Sequence, residues 1–160
     1  LSIAIDHLTL GRAALYAAIL RETEISNLKS EIDHAVSGLR RAGQLDHLPR
    51  GLLTRAWLRS LTSAWTGPES AQSDLDEAWE IAERGPMPLF MADIHLYRAR
   101  LFGRQKDEGR GQKEENAYPW GSVEEDLREA RRLIEKHGYG RRKEELEDAE
   151  RVLLGESHSS

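Results

Sequence analysis

The pattern Leu-x-Arg-Ala-x-Leu occurs three times in this chain of 160 residues. Its copies begin at Leu10, Leu53 and Leu96, so successive copies are 43 residues apart. A regular internal period in this range is the signature of repeat architectures, in which each unit buries its apolar face against the next. The pattern therefore predicts an array of similar units rather than one irregular fold.

A second series of apolar and small residues follows the copies of this pattern. Its three pairs are Ile32 and Ala35, Leu75 and Ala78, and Leu127 and Ala130. The first two pairs are 43 residues apart and the last two are 52 apart, which predicts an insertion of nine residues in the last unit. Residues 103–116 are rich in glycine and charge and have no large apolar side chain. Such a segment buries too little apolar surface to offset the conformational entropy that it would lose on ordering. We therefore predict a flexible loop at 103–119.

Apolar residues recur at spacings of three and four along most of the chain, which predicts helices throughout. The expected fold is all-α, with three antiparallel helix pairs and a C-terminal capping helix in one domain, 1–156. The repeats are expected at about 5–43, 46–85 and 88–138, the capping helix at 141–154 and a disordered tail at 157–160.

Several residues mark where the predicted helices begin and end. Gly43 and Gly138 can supply the left-handed residue that ends a helix, and Pro86 cannot continue one. A turn is predicted at 22–24, and a helix is predicted to begin at Ile25. Asp46 is the expected N-terminal cap of the next helix. The segment 122–125 fits a capping box, in which serine and glutamate side chains each accept a hydrogen bond from a backbone amide.

The second helices of the units resemble the second helix of the tetratricopeptide repeat (TPR). Their matching positions are 28, 71 and 123 for a small or apolar residue, 32, 75 and 127 for an apolar one, and 35, 78 and 130 for alanine. The period here is longer than that family's usual one of about 34 residues. The resemblance implies a right-handed α-α superhelix that binds a peptide or protein in a groove lined by the first helix of each repeat. The chain is also similar in general sequence character, without a shared motif, to the helical-repeat portions of bacterial signalling ATPases and regulators.

Composition excludes several classes of function. The net charge of −5 argues against a broad nucleic-acid surface, and no apolar run is long enough to span a membrane. The chain has no cysteine, which removes disulfides and thiolate chemistry and fits a cytoplasmic protein. Because the chain starts at Leu1 without a basic leader, we expect an excised piece of a longer protein.

No catalytic constellation is apparent, so the sequence predicts a protein that is not an enzyme and that needs no cofactor or metal. The six histidines lack metal-ligand spacing and are expected on the surface or between helices. The carboxylate runs, such as Asp74, Asp76 and Glu77, alternate with basic residues and are expected on solvated, ion-paired faces. An enzyme remains an alternative only if the loop 103–119 covers a pair of carboxylates in a pocket.

The recurring arginines Arg12, Arg55 and Arg98 are the main candidates for binding, together with Arg59 and Tyr16. Arginines at one place in successive repeats would form a row that holds the carboxylates of an acidic partner. The alternative is structural, with each arginine stem packing on a neighbouring helix while its guanidinium pairs with a nearby acid.

Tyr118 and Trp120 lie just after the predicted loop. They either contact a partner or anchor the end of the loop on the helices. Trp57 and Trp79 are expected in the core.

The sequence therefore predicts a non-catalytic scaffold for protein-protein interaction, with self-association through exposed ends as a further expectation. The alternative is a regulatory or sensor domain that binds a small effector or the catalytic domain of its own longer chain.

Overall fold

The computed structural model describes residues 22–103 and 118–155, and all regular structure in these two ranges is helical. The helices are α1 (Glu22–Arg41), α2 (Leu48–Leu61), α3 (Ala71–Arg84), α4 (Pro88–Gly103), α5 (Val123–His137) and α6 (Gly140–Leu153). The all-α prediction is confirmed for this part of the chain. The helix expected at 5–21, residues 104–117 of the expected loop and the tail lie outside the described residues.

The chain divides into two compact units, Leu1–Arg84 (unit 1) and Gly85–Ser160 (unit 2). In the described part of the chain, unit 1 contains α1 to α3 and unit 2 contains α4 to α6.

In unit 1, α2 packs against both α1 and α3. Because α2 has a neighbouring helix on two sides, most of its own residues are buried. Trp57 is only 2% exposed, which confirms that it belongs to the core. Trp79 is half-buried. From α3, the small residues Ala71, Ala78 and Ala82 have no exposed surface. They let the α2 and α3 backbones approach closely, as expected for the alanine positions of the repeat.

In unit 2, α4, α5 and α6 all pack against one another. Their shared core consists of Ala92, Leu96, Ala99, Val123, Leu127, Ala130, Leu133, Ile134, Leu146 and Ala149. Because α4 has neighbours on several sides, most of its side chains from Ala92 onwards are buried, including charged ones. This helix supplies much of the polar network described below.

The helix ends agree with the sequence at the glycines and differ elsewhere. Gly43 and Gly138 have φ angles of 67° and 71°, the left-handed conformation that favours glycine. The cap of α2 is His47 rather than Asp46, and no side chain accepts a hydrogen bond there. The expected turn at 22–24 belongs to α1.

Serine precedes α3 in unit 1 and α5 in unit 2. The Ser122 Oγ accepts a hydrogen bond from the Glu125 amide at 3.1 Å, which confirms the serine half of the predicted capping box. In unit 1 the Ser70 Oγ accepts from the Ser73 amide at 3.1 Å, and the Ser73 Oγ accepts from the Ser70 amide at 3.0 Å. The two capping serines are 52 residues apart, which is also the spacing of Leu75 and Leu127. The repeat therefore includes the starts of α3 and α5.

Two predicted core residues are exposed. The inward face of α6 is set by Leu146, Ala149 and Leu153, and Val152 lies roughly 90° around the helix from their mean direction. Its exposure is 44%. Ala35 is likewise exposed, because the buried face of α1 is set by Ile32 and Val36.

Candidate functional site

In each unit, the arginine of the repeated pattern lies beside a buried aspartate of the next helix. In unit 1 the Arg55 Nε donates to Asp74 Oδ2 at 3.1 Å and its Nη2 donates to Asp74 Oδ1 at 2.8 Å. In unit 2 the Arg98 Nη1 is 3.7 Å from Asp126 Oδ1. Asp74 is 1% exposed and Asp126 is 5% exposed. The same ionic pair therefore ties the two helices of both units together.

The electrostatics of unit 1 follow from this burial. Burial alone would lower the pKa of Arg55, but the hydrogen bond and the negative charge of Asp74 raise that pKa above its ordinary value. Burial raises the pKa of the Asp74 carboxyl, while the adjacent guanidinium of Arg55 opposes the rise. Arg55 stays charged, so removal of its partner would leave a cation in a largely buried place.

Arg59 joins the same pair from the next turn of α2. Its Nη1 donates to Asp74 Oδ1 at 3.0 Å and lies 3.4 Å from the carbonyl oxygen of Ser70. One buried carboxylate thus positions two guanidinium groups side by side.

The two guanidinium groups line a partly open cavity of about 260 Å³ in unit 1. Its other walls are Lys29, Asp33, Ser37, Ala64 and Glu69. Basic and acidic side chains both face this space, so it is polar without a strong excess of either charge. Planar guanidinium groups can donate hydrogen bonds in pairs and can stack on aromatic rings, which makes the cavity suited to binding a side chain.

In unit 2, aromatic residues cover the equivalent arginine. The Trp120 ring centre lies 4.9 Å from the guanidinium carbon of Arg98, and the same ring packs edge-on against Phe102 at 4.9 Å. Tyr118 packs edge-on against Trp120 at 5.6 Å, and its hydroxyl donates a hydrogen bond to Asp126. Burial and this carboxylate raise the pKa of Tyr118. Of the two interpretations of Tyr118 and Trp120, these contacts favour anchoring.

Further polar pairs connect α4 to its neighbours. His95 Nδ1 lies 2.6 Å from Asp126 Oδ1, with the ring N–H as donor to the carboxylate. Asp93 accepts from Arg142 of α6 at 2.6 Å. Arg100 donates to Asp148, also of α6, at 2.9 Å. The network has the character of structural cross-links, because each charged group of α4 faces an opposite charge on α5 or α6.

Sequence reasoning missed the buried aspartates. The expectation of solvated carboxylates is wrong for Asp74, which is buried. His95 lies between helices, which is one of the two positions expected for the histidines. A signal was present: Asp74 and Asp126 each precede the leucine of the second series and are 52 residues apart. Applying the repeat spacing to charged residues as well as to apolar ones would have paired them with Arg55 and Arg98.

Other candidates fall outside the described ranges. Arg12 and Tyr16 lie there, and so does nearly all of the segment 103–119 that was expected to cover a carboxylate pair. Within residues 22–103 and 118–155, no group of three or more histidine and acidic side chains could hold a metal ion. No helix in these ranges is both long and apolar enough to cross a membrane.

In the described residues, the geometry defines a set of helices with a repeated arginine-aspartate pair and a polar cavity beside the pair of unit 1. When the chain is compared with models of known protein families, with curated proteins and with solved structures, no match is found.

Proposed function

We propose that this protein is a non-catalytic protein-protein interaction module that binds a peptide or protein segment at the cavity beside Arg55 and Arg59. The cavity is the observation that carries the proposal, because two of the candidate binding residues line it. The proposal includes a TPR-like repeat and a cytoplasmic location. The TPR-like part is supported by the recurrence of the Arg55–Asp74 pair as Arg98 and Asp126.

The cavity volume favours a peptide over a small effector. Pockets for small molecules usually measure about 300–1,000 Å³, and a space of about 260 Å³ suits one side chain of a longer ligand. A regulatory domain that binds a segment of its own longer chain would use the cavity in the same way.

The mixed charge of the cavity also bears on the partner. Arg55 and Arg59 share the charge of Asp74, and Asp33 lies 3.5 Å from Arg55 Nη1. This pairing reduces the attraction for a strongly acidic partner. We therefore propose a partner recognised by shape and by stacking as well as by charge.

The test changes the rim of the cavity and leaves the buried pair intact. Lys29 is exposed on α1, and Lys29→Glu reverses its charge without touching Asp74. Lys136→Glu makes the same change at an exposed position of α5 and is the matched control. Both variants and the unchanged protein are immobilised, and proteins retained from the source cell are identified and then purified.

We expect a purified partner to bind the unchanged protein and the Lys136→Glu variant equally. The Lys29→Glu variant should bind it at least about tenfold more weakly, with an unaltered melting temperature. Equal binding to all three proteins would place the partner elsewhere and contradict the proposal.

A further inference from the structure

The cavity of unit 1 corresponds to the place that Trp120 fills in unit 2. Arg55 and Arg59, which line the cavity, are 43 residues before Arg98 and Phe102, and both of these residues of unit 2 contact the Trp120 ring. The correspondence rests on the same period that relates the helices themselves.

The chain segments beside the two places also correspond. Tyr118-Pro119-Trp120-Gly121 immediately precedes the cap Ser122, and Thr66-Gly67-Pro68-Glu69 immediately precedes the cap Ser70. Pro68 therefore stands where unit 2 has its tryptophan. The segment 66–69 contains no aromatic residue, and its Glu69 lines the cavity. Trp65 directly precedes this segment but is not among the residues that line the cavity.

We infer that the cavity of unit 1 binds a tryptophan side chain of a partner, in the way that Trp120 lies on Arg98 and Phe102 within unit 2. This inference rests on the proposed function and specifies the side chain that the site recognises. The ring stacks on the guanidinium groups of Arg55 and Arg59, which Asp74 holds in place.

The chemistry of the two arginines supports an indole. A guanidinium group stacks on aromatic faces, and tryptophan is the best aromatic partner for a cation. Where unit 2 has Phe102, unit 1 has Arg59, so two cations face the ring instead of one cation and one phenyl ring. An aliphatic side chain of similar size would lack this attraction.

The size of the cavity is also sufficient. An engineered protein cavity of about 150 Å³ holds benzene, and the cavity beside Arg55 measures about 260 Å³. A partly open space of this volume admits an indole that enters from a peptide while the peptide backbone stays outside.

The test uses peptides with the sequence of the chain's own anchor. The probe is the acetylated and amidated tetrapeptide Tyr-Pro-Trp-Gly, and the matched controls carry leucine or glutamate in place of tryptophan. Binding is followed by nuclear magnetic resonance of the full chain, through the Nε–H signals of Arg55 and Arg59 and the backbone amides of residues 64–69.

We expect saturable shifts of these signals with the tryptophan peptide, at a dissociation constant of roughly 1 mM or below. The leucine and glutamate peptides should bind at least about tenfold more weakly. Absence of saturation with the tryptophan peptide, or equal binding of the leucine peptide, would overturn the inference. Tighter binding of the glutamate peptide would overturn it in favour of an anion site.

A variant that fills the cavity from within gives an independent check. Ala64→Trp supplies a ring from a residue that lines the cavity. A folded form of this variant should lose peptide binding, and retained binding would overturn the inference. The two proposals can fail separately. If a partner needs Lys29 for binding but does not compete with the peptide, the proposed function stands and only the inference of a tryptophan ligand fails.

Discussion

One buried carboxylate makes several polar contacts in each unit. Asp74 holds Arg55 and Arg59, whereas Asp126 accepts hydrogen bonds from His95 and Tyr118. Burying a charge is costly unless it is paired and hydrogen-bonded, and both carboxylates meet this condition. The two units thus use one position of the repeat for different sets of partners.

At the residue scale, Tyr118 links pH to stability. Its pKa in the folded protein lies above the ordinary value of 10.0, because of burial and of the hydrogen bond to Asp126. The folded state therefore keeps this proton at pH values where the unfolded chain has lost it, so stability is full below pH 10 and falls above it. Above pH 10, the free energy of unfolding should fall more steeply than in Tyr118→Phe, by up to about 1.4 kcal/mol per pH unit.

The measurement is urea unfolding of both proteins at several pH values between about 8 and 11, followed by circular dichroism. The other tyrosines are common to both proteins and cancel in the difference. If the free energies of unfolding of the two proteins fall in parallel above pH 10, the Tyr118 hydroxyl does not make the hydrogen bond to Asp126 described above.

At the element scale, patterns predict where helices lie better than they predict what the helices bury. Apolar spacing predicts helices along most of the chain, and Gly43 and Gly138 end their helices as expected. The polar side chains of α4 were not predictable in the same way. Whether an aspartate or arginine in a helix faces solvent depends on an opposite charge on another helix, which local spacing does not contain.

The tie between α2 and α3 can be tested with two aspartates that face the same arginine. Asp74→Asn removes a buried charge and leaves Arg55 and Arg59 without their carboxylate, which should lower the free energy of unfolding by about 3–5 kcal/mol. Asp33 also lies near Arg55, but its side chain is 46% exposed. Asp33→Asn should therefore cost less than about 1 kcal/mol.

Urea unfolding at pH 7 measures both variants. Similar losses for the two substitutions would mean that burial does not distinguish the two pairs, and the account of Asp74 as the central group of unit 1 would have to be abandoned.

At the scale of the whole molecule, the chain consists of two compact units, each with its own buried residues. Their boundary lies at Arg84 and Gly85, where glycine and proline interrupt the helices. The cavity was not predictable, since it depends on which side chains fill the corresponding space in each unit.

Unit 2 should fold when it is produced alone as Gly85–Ser160. Its three described helices share one core, and small domains with their own core unfold cooperatively. Circular dichroism of this fragment should show a helical spectrum and a single sigmoidal urea transition. A gradual, non-cooperative loss of signal would contradict the assignment of a separate unit.

The Arg55–Asp74 pair also restricts how this sequence can change during evolution. Replacing Asp74 alone leaves Arg55 and Arg59 without their carboxylate, whereas exchanging the whole group for apolar residues of similar volume can be neutral. Positions 55 and 74 are therefore expected to vary together among descendants of this sequence, and the same holds for positions 98 and 126. Lineages that lose one member of a pair should be short-lived unless the other member follows.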